Sequence, residues 1–498
     1  MSPDPLPACL PFAARGVARP IRVAARARGA SAGLAALTLA ALALLAGCAT
    51  MAAPDRALPE TPVPAAWSEA RAADTAEPSS ASPAARAADL AQWWRNFDDP
   101  ELASLVARAL EVNTSVRSAQ AALAQARAVR DVQAAGLLPS VDGSASAQRA
   151  RPAGGDASNR FQAGLDASWE LDVFGRNRAA LEAAEADARA AQAGLADVQV
   201  SLAAEVALAY LELRGLQGRL EIARRNLAAQ NETLQLAQWR AQAGLTTSVE
   251  VEQARAAAEQ TAAQVPTLET GIAQARHALA VLTGQAAGAS QPALEAARPV
   301  PRPAADLALA IPAETLRQRP DVRQAEERIA GALARVSQAD AARYPSFRLG
   351  GSIGLSALTL SGLGGSAAIV NSLLAGLSIP FFDGGALQAQ VRAQEAALEQ
   401  ARVGYQATVL NALKEVEDAL VALRGDRERL ARLQNAADAA ANAALLAQNR
   451  YASGLIDFQV VLDTQRTLLN TQDSVASTLA NVSADHVRLY KALGGGWK

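Results

Sequence analysis

The sequence has few of the residues that build catalytic centres, metal sites or disulfide frameworks. Its 498 residues include only two histidines and two cysteines. His277 and His486 both fall within helical patterns, and no metal-ligand spacing, nucleophile motif or phosphate-binding loop accompanies them. Cys9 lies in a segment expected to be removed, so no disulfide is expected within the chain. We therefore expect no enzymatic activity, no metal site and no bound cofactor.

Aromatic residues are also scarce, at 4%, and the formal net charge is only −2. Residues 1–47 hold five arginines and one aspartate, a net of +4, which leaves −6 for the rest of the chain. No basic surface for a nucleic acid is therefore indicated. What the sequence does have is alanine and leucine, which dominate its 50% hydrophobic fraction. Because both residues favour helices, long and closely packed helices are expected.

The N-terminus has the organisation of a bacterial lipoprotein leader. Residues 15–30 are rich in arginine, and residues 31–46 are apolar but short for a membrane-spanning helix. Leu45-Ala46-Gly47-Cys48 resembles a lipobox, in which the cysteine thiol takes a diacylglycerol. We predict that residues 1–47 are a signal peptide, that Cys48 carries a covalent lipid, and that residues 48–88 are a flexible tether. A plain signal peptide or a membrane anchor is the alternative.

The two halves of the chain repeat each other. Val116-Arg117-Ser118-Ala119 matches Val322-Arg323-Gln324-Ala325, and Leu138-Pro139-Ser140 matches Tyr344-Pro345-Ser346, both at an offset of 206 residues. Arg240-x-x-x-Gly244-Leu245 matches Arg450-x-x-x-Gly454-Leu455 at an offset of 210. Matches in the same order at nearly the same offset indicate a duplicated unit. The repeats are predicted at residues 113–283 and 319–492.

A seven-residue apolar period predicts long supercoiled helices in each repeat. The period runs from Leu181 to Leu227 with one slip, and shorter stretches with the same period follow in both repeats. Pro266 should kink its helix, because it lacks a backbone donor. We predict long helices over residues 176–242 and 385–452 and shorter helices over residues 247–283 and 457–492.

A two-residue alternation predicts four strands. From Phe161 to Val173 every second residue is apolar, and those between are polar or glycine. Strands of about 10 residues with one apolar and one polar face suit a membrane barrel with a water-filled lumen, although a half-buried soluble sheet shows the same pattern. Since four strands cannot close a barrel and open edges are not viable in lipid, several chains would have to pool their strands. We predict the strands over residues 140–151, 160–174, 346–358 and 369–381.

In their order along the chain, these motifs resemble the TolC/OprM-type outer-membrane efflux factors, and more closely their lipoprotein, NodT-like branch. The resemblance covers residues 90–493 and includes Trp93-Trp94, Trp169-Glu170-Leu171-Asp172-x-Phe174-Gly175 and Ile379-Pro380-Phe381-Phe382-Asp383-Gly384-Gly385. It implies an α+β membrane protein, a homotrimer in which four strands per protomer build a 12-stranded barrel above a coiled-coil helical tunnel in the periplasm. Residues 89–112 and 284–318 would form an equatorial belt, and residues 493–498 a tail.

The resemblance also implies a function. The protein would be a lipid-anchored exit duct of the outer membrane that passes drugs or other small molecules passively from an inner-membrane RND-type pump and a periplasmic adaptor. A duct for type I protein secretion or for metal-ion efflux is an alternative, because selectivity lies in the inner-membrane partner. A non-channel periplasmic coiled-coil lipoprotein is an alternative of another class, and the alternating strands argue against it.

The resemblance places the functional residues at the periplasmic ends of the helices. Asp463 would line the periplasmic gate as one member of an acidic ring, although a solvated carboxylate near a helix start is the alternative. Family members often carry a second aspartate where this chain has Val460, so the ring would be weaker here. Gly244 and Gly454 need no role beyond capping a helix in a left-handed conformation. The adaptor would dock on the helix tips, through Arg240, Gly244, Leu245, Thr246, Arg450, Gly454, Leu455 and Ile456.

Overall fold

The computed structural model describes Pro59 and residues 92–151, 153–303 and 313–495. The predicted signal peptide, Cys48 and all of the predicted tether except Pro59 therefore lie outside the described part, as do residues 496–498 of the tail. The described part consists of long helices and one antiparallel sheet.

The helices and strands follow the predicted repeat. A 3₁₀ helix, Trp93–Phe97, comes first, and α1, Pro100–Val112, follows it. The first repeat contains α2 (Thr114–Ala135), β1 (Ser140–Ala150), β2 (Ser158–Leu171), α3 (Arg176–Gln242), α4 (Ser248–Ala262) and α5 (Gln264–Leu282). The second repeat contains α6 (Pro320–Ala341), β3 (Ser346–Ala357), β4 (Ile369–Ser378), α7 (Ala386–Ala452) and α8 (Phe458–Ala492). Helices α3 and α7 have 67 residues each, which corresponds to about 100 Å at about 1.5 Å per residue.

The first repeat differs from the prediction in its last helix. Residues 247–283 were expected to form one kinked helix, but α4 and α5 are separate helices with Ala263 between them. The physical reason is Pro266, which has no N–H to donate to the carbonyl of Ala262, four residues earlier. The equivalent α8 of the second repeat has no proline and runs unbroken for 35 residues.

Strands β2 and β4 each end three residues earlier than the alternation suggested. The strand expected over residues 160–174 is Ser158–Leu171, because Asp172 leaves the sheet and accepts hydrogen bonds from the backbone N–H groups of Asn177 and Arg178. These N–H groups belong to the first turn of α3, whose donors have no partner within the helix. The strand expected over residues 369–381 is β4, which ends at Ser378.

The sheet has the strand order β1-β2-β3-β4, with every neighbouring pair antiparallel. Its register gives it two unlike faces. On one face Gly143, Leu165, Ile353 and Asn371 lie side by side across the four strands, and on the other face the equivalent row is Asp142, Asp166, Ser352 and Ser372. On the first face Leu165 is 53% exposed and Leu373 is 80% exposed. An apolar face that no part of the described protomer covers is typical of a sheet that faces lipid.

Aromatic side chains mark the junction between the sheet and the helices. The ring of Phe174, just after β2, stacks on the ring of Tyr344 with 5.1 Å between their centroids, and Trp169 donates its Nε1–H to the carbonyl of Leu137 at 3.0 Å. Aromatic belts with one polar end are typical of the boundary between lipid and water. The junction is therefore consistent with a membrane surface at the base of the sheet.

Midway along the long helices, short segments are fixed to the helices by buried polar groups. Asp99 caps α1 by accepting from the N–H groups of Glu101 and Leu102, and it also accepts the hydroxyl of Tyr210 at 2.8 Å. The fully buried Arg214 donates to the carbonyls of Ala293 and Ala296. Since buried polar groups require partners, these bonds fix the segment before α1 and the segment after α5 on α3.

Candidate functional site

Both helical hairpins end in a tight turn capped by glycine. Gly244 follows α3 with φ of 68°, and Gly454 follows α7 with φ of 72°. In each turn the next residue, Leu245 or Leu455, donates its N–H to the carbonyl of the arginine five residues earlier. A Cβ at either glycine would meet nothing within 4 Å, so the backbone conformation, and not space, requires glycine here. The capping function expected from the sequence is therefore present.

The turns present apolar side chains to solvent. Leu245 is 70% exposed and Leu455 is 73% exposed, while Thr246 and Ile456 next to them are half-buried. Arg450 is exposed and Arg240 is half-buried. The predicted docking residues thus lie at the two tips, but they do not all face solvent: Arg240 points into the protomer.

Arg240 takes part in a contact that joins the two repeats. Its guanidinium lies 4.5 Å from the ring centroid of Tyr451, and its Nη1 donates to the carbonyl of the same residue at 3.1 Å. The hydroxyl of Tyr451 donates to Oε2 of Glu250 at 2.8 Å, and its ring packs on Phe458 with 5.1 Å between centroids. We call Arg240, Glu250, Tyr451 and Phe458 the tip contact. Each of these residues comes from a different helix, so the tip contact holds the ends of α3, α4, α7 and α8 together.

The tip contact sits on a small apolar cluster. Ala237, Ala254, Ala447 and Val461 are buried against Tyr451 and Phe458. Burial, together with the neighbouring carboxylate of Glu250, raises the pKa of Tyr451 to about 12. The hydroxyl is therefore protonated, and able to donate, at any physiological pH.

A row of polar residues continues the repeat–repeat interface above the tip. Arg219, Asn226 and Thr233 lie seven residues apart on α3, so they share one face of the helix. They bond to Asp473, Gln472 and Gln465 of α8, at 2.7, 2.9 and 2.8 Å. We call these three pairs the polar seam. The Arg219–Asp473 pair is a partly exposed ion pair, and the other two pairs are neutral hydrogen bonds that contribute only about 0.5–1.5 kcal/mol each. Water can replace all of these polar contacts when the seam separates.

Asp463 lies on an exposed face in the second turn of α8. Its Oδ1 accepts from Nη2 of Arg466 at 3.0 Å and from Nε2 of Gln459 at 3.3 Å. The side chain of Arg466 is largely exposed and that of Asp463 is about half exposed, so the ion pair contributes little stability. Val460, one turn earlier, is 44% exposed. The predicted gate residue is thus accessible, and the apolar side chain that precedes it lies on the same exposed side.

The sequence reasoning did not identify the tip contact or the polar seam. Tyr451, Phe458 and Glu250 were given no role from the sequence. The seven-residue spacing of the polar residues on α3 could have indicated the polar seam. Of the two histidines, His277 is exposed, and His486 is buried beside Arg427, 2.9 Å from its Nη2. Among the described residues no three His, Cys, Asp or Glu side chains gather as metal ligands would.

Comparison with known proteins assigns the chain to a family. The Outer membrane efflux protein family profile matches residues 105–285 and 311–495, one segment in each repeat. Nodulation protein T of Rhizobium leguminosarum bv. viciae is 32% identical over 457 residues, which cover 91% of this chain and 92% of the relative. The toluene efflux pump outer membrane protein TtgF of Pseudomonas putida is 32% identical over 473 residues, covering 93% of this chain and 96% of the relative.

Solved structures give the same result. The outer-membrane channel OprN matches with a TM-score of 0.81 and 37% identity, covering 89% of this chain and 100% of the channel. CusC, whose crystal structures concern folding and transmembrane channel formation, matches with a TM-score of 0.80 and 26% identity. The match covers 89% of this chain and 99% of CusC. The predicted α+β fold class with two repeats, and the resemblance read from the motifs, are confirmed. The chain belongs to the outer membrane efflux protein family, and it is the outer-membrane channel of an efflux system.

Proposed function

We propose that the protein works as a homotrimeric, passive exit duct without catalytic activity. The observation that supports assembly from several copies is the four-stranded sheet, whose outer strands β1 and β4 have no partner on their outer edges within the described residues. The number three is proposed from the family resemblance. The apolar face of the sheet suits lipid, but the open strand edges are not stable there unless other chains complete a barrel. Three protomers would provide 12 strands, and the long helices below them would enclose one continuous tunnel.

The proposal is tested by measuring the mass of the assembly and the current that it conducts. Protein purified in detergent should have the mass of three protomers, and it should produce stepwise currents in planar lipid bilayers. A monomer that inserts and conducts no current under any condition would exclude the trimeric duct.

The helix tips are proposed to receive a periplasmic adaptor that links the duct to an inner-membrane RND-type pump. The support is the pair of exposed leucines, Leu245 and Leu455, at the outermost points of the two capped turns. Exposed apolar side chains that the protomer does not cover mark interaction surfaces. The flanking residues Arg240, Gly244, Thr246, Arg450, Gly454 and Ile456 would shape the turns and complete the surface.

Substitution of the exposed leucines tests docking. Leu245→Ser with Leu455→Ser should abolish cross-linking to the adaptor in cells, and it should leave the current of the purified channel unchanged. Leu358→Ser is the matched control, because Leu358 is 67% exposed but lies in the β3–β4 turn. Equal cross-linking in all variants would remove the tips from the docking surface.

The gate is proposed to lie at the same end. In a trimer, Asp463 from three protomers would form an acidic ring that attracts cations and narrows the opening. The tip contact would hold the hairpins of each protomer in the closed arrangement. Opening would then separate the tip contact first and the polar seam next, both of which are bonded by groups that water can replace.

Two further features are proposed from the sequence and from relatives. Cys48 would carry a covalent lipid that anchors the mature chain in the outer membrane. Labelled palmitate should enter the wild-type protein and should not enter Cys48→Ser. The cargo is proposed to be small organic molecules, with support from the relative that is named as part of a toluene efflux pump. Loss of export of a panel of solvents and drugs after gene deletion tests the cargo.

A further inference from the structure

The residues that follow β4 expose large apolar side chains that nothing in the described protomer covers. Phe381 is 98% exposed and Phe382 is 90% exposed, although both are large and apolar. They follow directly on Ile379 and on β4, which ends at Ser378. The exposed edge of β4 and these two aromatic residues therefore form one continuous surface without a partner in the described residues.

The internal repeat supplies a way to find the partner. In each repeat a turn joins the two strands, β1 to β2 or β3 to β4. The elements before this turn are offset by 206 residues between the repeats: α2 begins at Thr114 and α6 at Pro320. Elements after the turn differ by 210: α3 begins at Arg176 and α7 at residue 386. The strand pairing agrees, since Ser140 lies opposite Ser168 and the residues 206 and 210 positions later, Ser346 and Ser378, also lie opposite each other. The four additional residues of the second repeat thus lie in its β3–β4 turn.

One contact within the protomer has no counterpart in the same chain. Strand β2, from the first repeat, pairs with β3, from the second, along eleven residue pairs that run from Phe161 opposite Ala357 to Leu171 opposite Phe347. The repeat operation moves β2 onto β4, and it moves β3 onto β1. Since β1 of the same chain lies at the far edge of the sheet, the β1 that meets β4 must belong to a second copy.

We infer that β4 pairs with β1 of the neighbouring copy in the register that the repeat dictates. Moving Leu171 forward by 210 and Phe347 back by 206 places Phe381 opposite Val141 of the next chain. In the same way Leu377 lies opposite Ala145. Residues 371–381 of one copy would thus pair with residues 141–151 of the next. This inference rests on the proposed trimer and adds the register by which the trimer closes.

The register agrees with two independent features. It keeps the faces aligned, because odd-numbered residues on both strands lie on the apolar face and even-numbered residues lie on the polar face. A shift of one residue would move apolar side chains to the polar face. The register also extends β4 to Phe381, where the alternation in the sequence predicts that the strand ends. The exposure of Phe381 and Ile379 in the protomer is then the exposure of an unpaired strand end.

Cysteine pairs across the edge test the register. Ser378→Cys combined with Ser144→Cys should give disulfide-linked dimers and trimers on a non-reducing gel after mild oxidation, because directly opposite residues are about 4.5–5.5 Å apart. The control is the equivalent pair within the protomer, Ser168→Cys with Gly350→Cys, which lie opposite each other in the structure. That control should close within one chain and run as a monomer. The unmodified chain gives the baseline for its own Cys9 and Cys48.

Pairs shifted by two residues are decisive, because they preserve the faces. Ser378→Cys with Asp142→Cys, or with Ser146→Cys, would place the sulfurs on diagonal neighbours about 7–8 Å apart, beyond disulfide reach. Cross-linking at position 144 that clearly exceeds both shifted pairs supports the register. Stronger cross-linking at 142 or 146 in a protein of trimeric mass overturns the register and leaves the proposed duct intact. A monomeric mass with no cross-linking in any pair overturns both.

Discussion

Replacing Tyr451 by phenylalanine removes one hydrogen bond from the tip contact and leaves the ring in place. The hydroxyl donates to Glu250 at 2.8 Å, while the ring keeps its contacts with Arg240 and Phe458. A hydrogen bond to a charged group contributes about 1.5–3 kcal/mol, and we take the lower end because Glu250 is only half-buried. About 1.4 kcal/mol changes an equilibrium tenfold. The balance between closed and open tip should therefore shift toward open by about tenfold in each protomer.

The assay is the open probability of single channels in planar bilayers. Tyr451→Phe should open more often than the wild type, and Glu250→Gln should show a smaller increase, because a neutral acceptor gives a weaker bond. Tyr405→Phe is the matched control, since Tyr405 is a buried tyrosine on the same helix, far from the tip. An unchanged open probability in Tyr451→Phe would refute the role of the tip contact in closing the channel.

The pKa of the tyrosine adds a condition to this prediction. Burial beside Glu250 raises the pKa of Tyr451 to about 12, so the donating form persists until the pH rises through that value. The open probability should therefore show no titration of Tyr451 between neutral and moderately alkaline pH. A rise with a midpoint near the ordinary tyrosine pKa of about 10 would show that the hydroxyl is not buried as described.

Three other substitutions have expected outcomes elsewhere in the fold. Leu165→Arg puts a charge on the apolar face at a cost of about 2–4 kcal/mol in lipid and should reduce trimers in membrane extracts, whereas Gln162→Arg on the polar face should not. Arg214→Met leaves the buried side chain of Gln217 and the carbonyls of Ala293 and Ala296 without their donor, and it should destabilise the protein by about 3 kcal/mol, seen as a lower midpoint of thermal unfolding. Burial raises the pKa of Asp485, so its charged form destabilises the folded state at neutral pH. Asp485→Asn, which can still accept from Arg488, should raise the midpoint at pH 7, and the gain should disappear in acid as the wild-type carboxyl becomes protonated.

Local periodicity was sufficient to predict most of the fold. The alternation from Phe161 onward lies within a strand that is paired on both sides, and the seven-residue period from Leu181 lies within α3. The element ends were harder, because they depend on single bonds: Asp172 ends the strand early by capping α3. Pro266 indicated a disturbance in its helix, but the complete break at Ala263 follows from the missing bond to the carbonyl of Ala262.

The candidate site was less accessible to sequence reasoning. Glu250 and Tyr451 are separated by 201 residues, so their hydrogen bond depends on how the two repeats pack and not on any local pattern. The seven-residue period was defined by apolar residues alone. Arg219, Asn226 and Thr233 have the same spacing, but they are polar, and their contact with α8 was therefore not predicted. The capped turns were predictable, because a glycine after a long helix carries its own conformational signal.

Single-channel conductance of wild type beside Asp463→Ala tests the central claim most directly. We expect small, cation-selective current steps from the wild type, and larger steps with weaker cation selectivity after the acidic ring is removed. Protein that inserts stably into the bilayer but passes no current, in the wild type, in Asp463→Ala and in Tyr451→Phe alike, would contradict a duct gated at the helix tips.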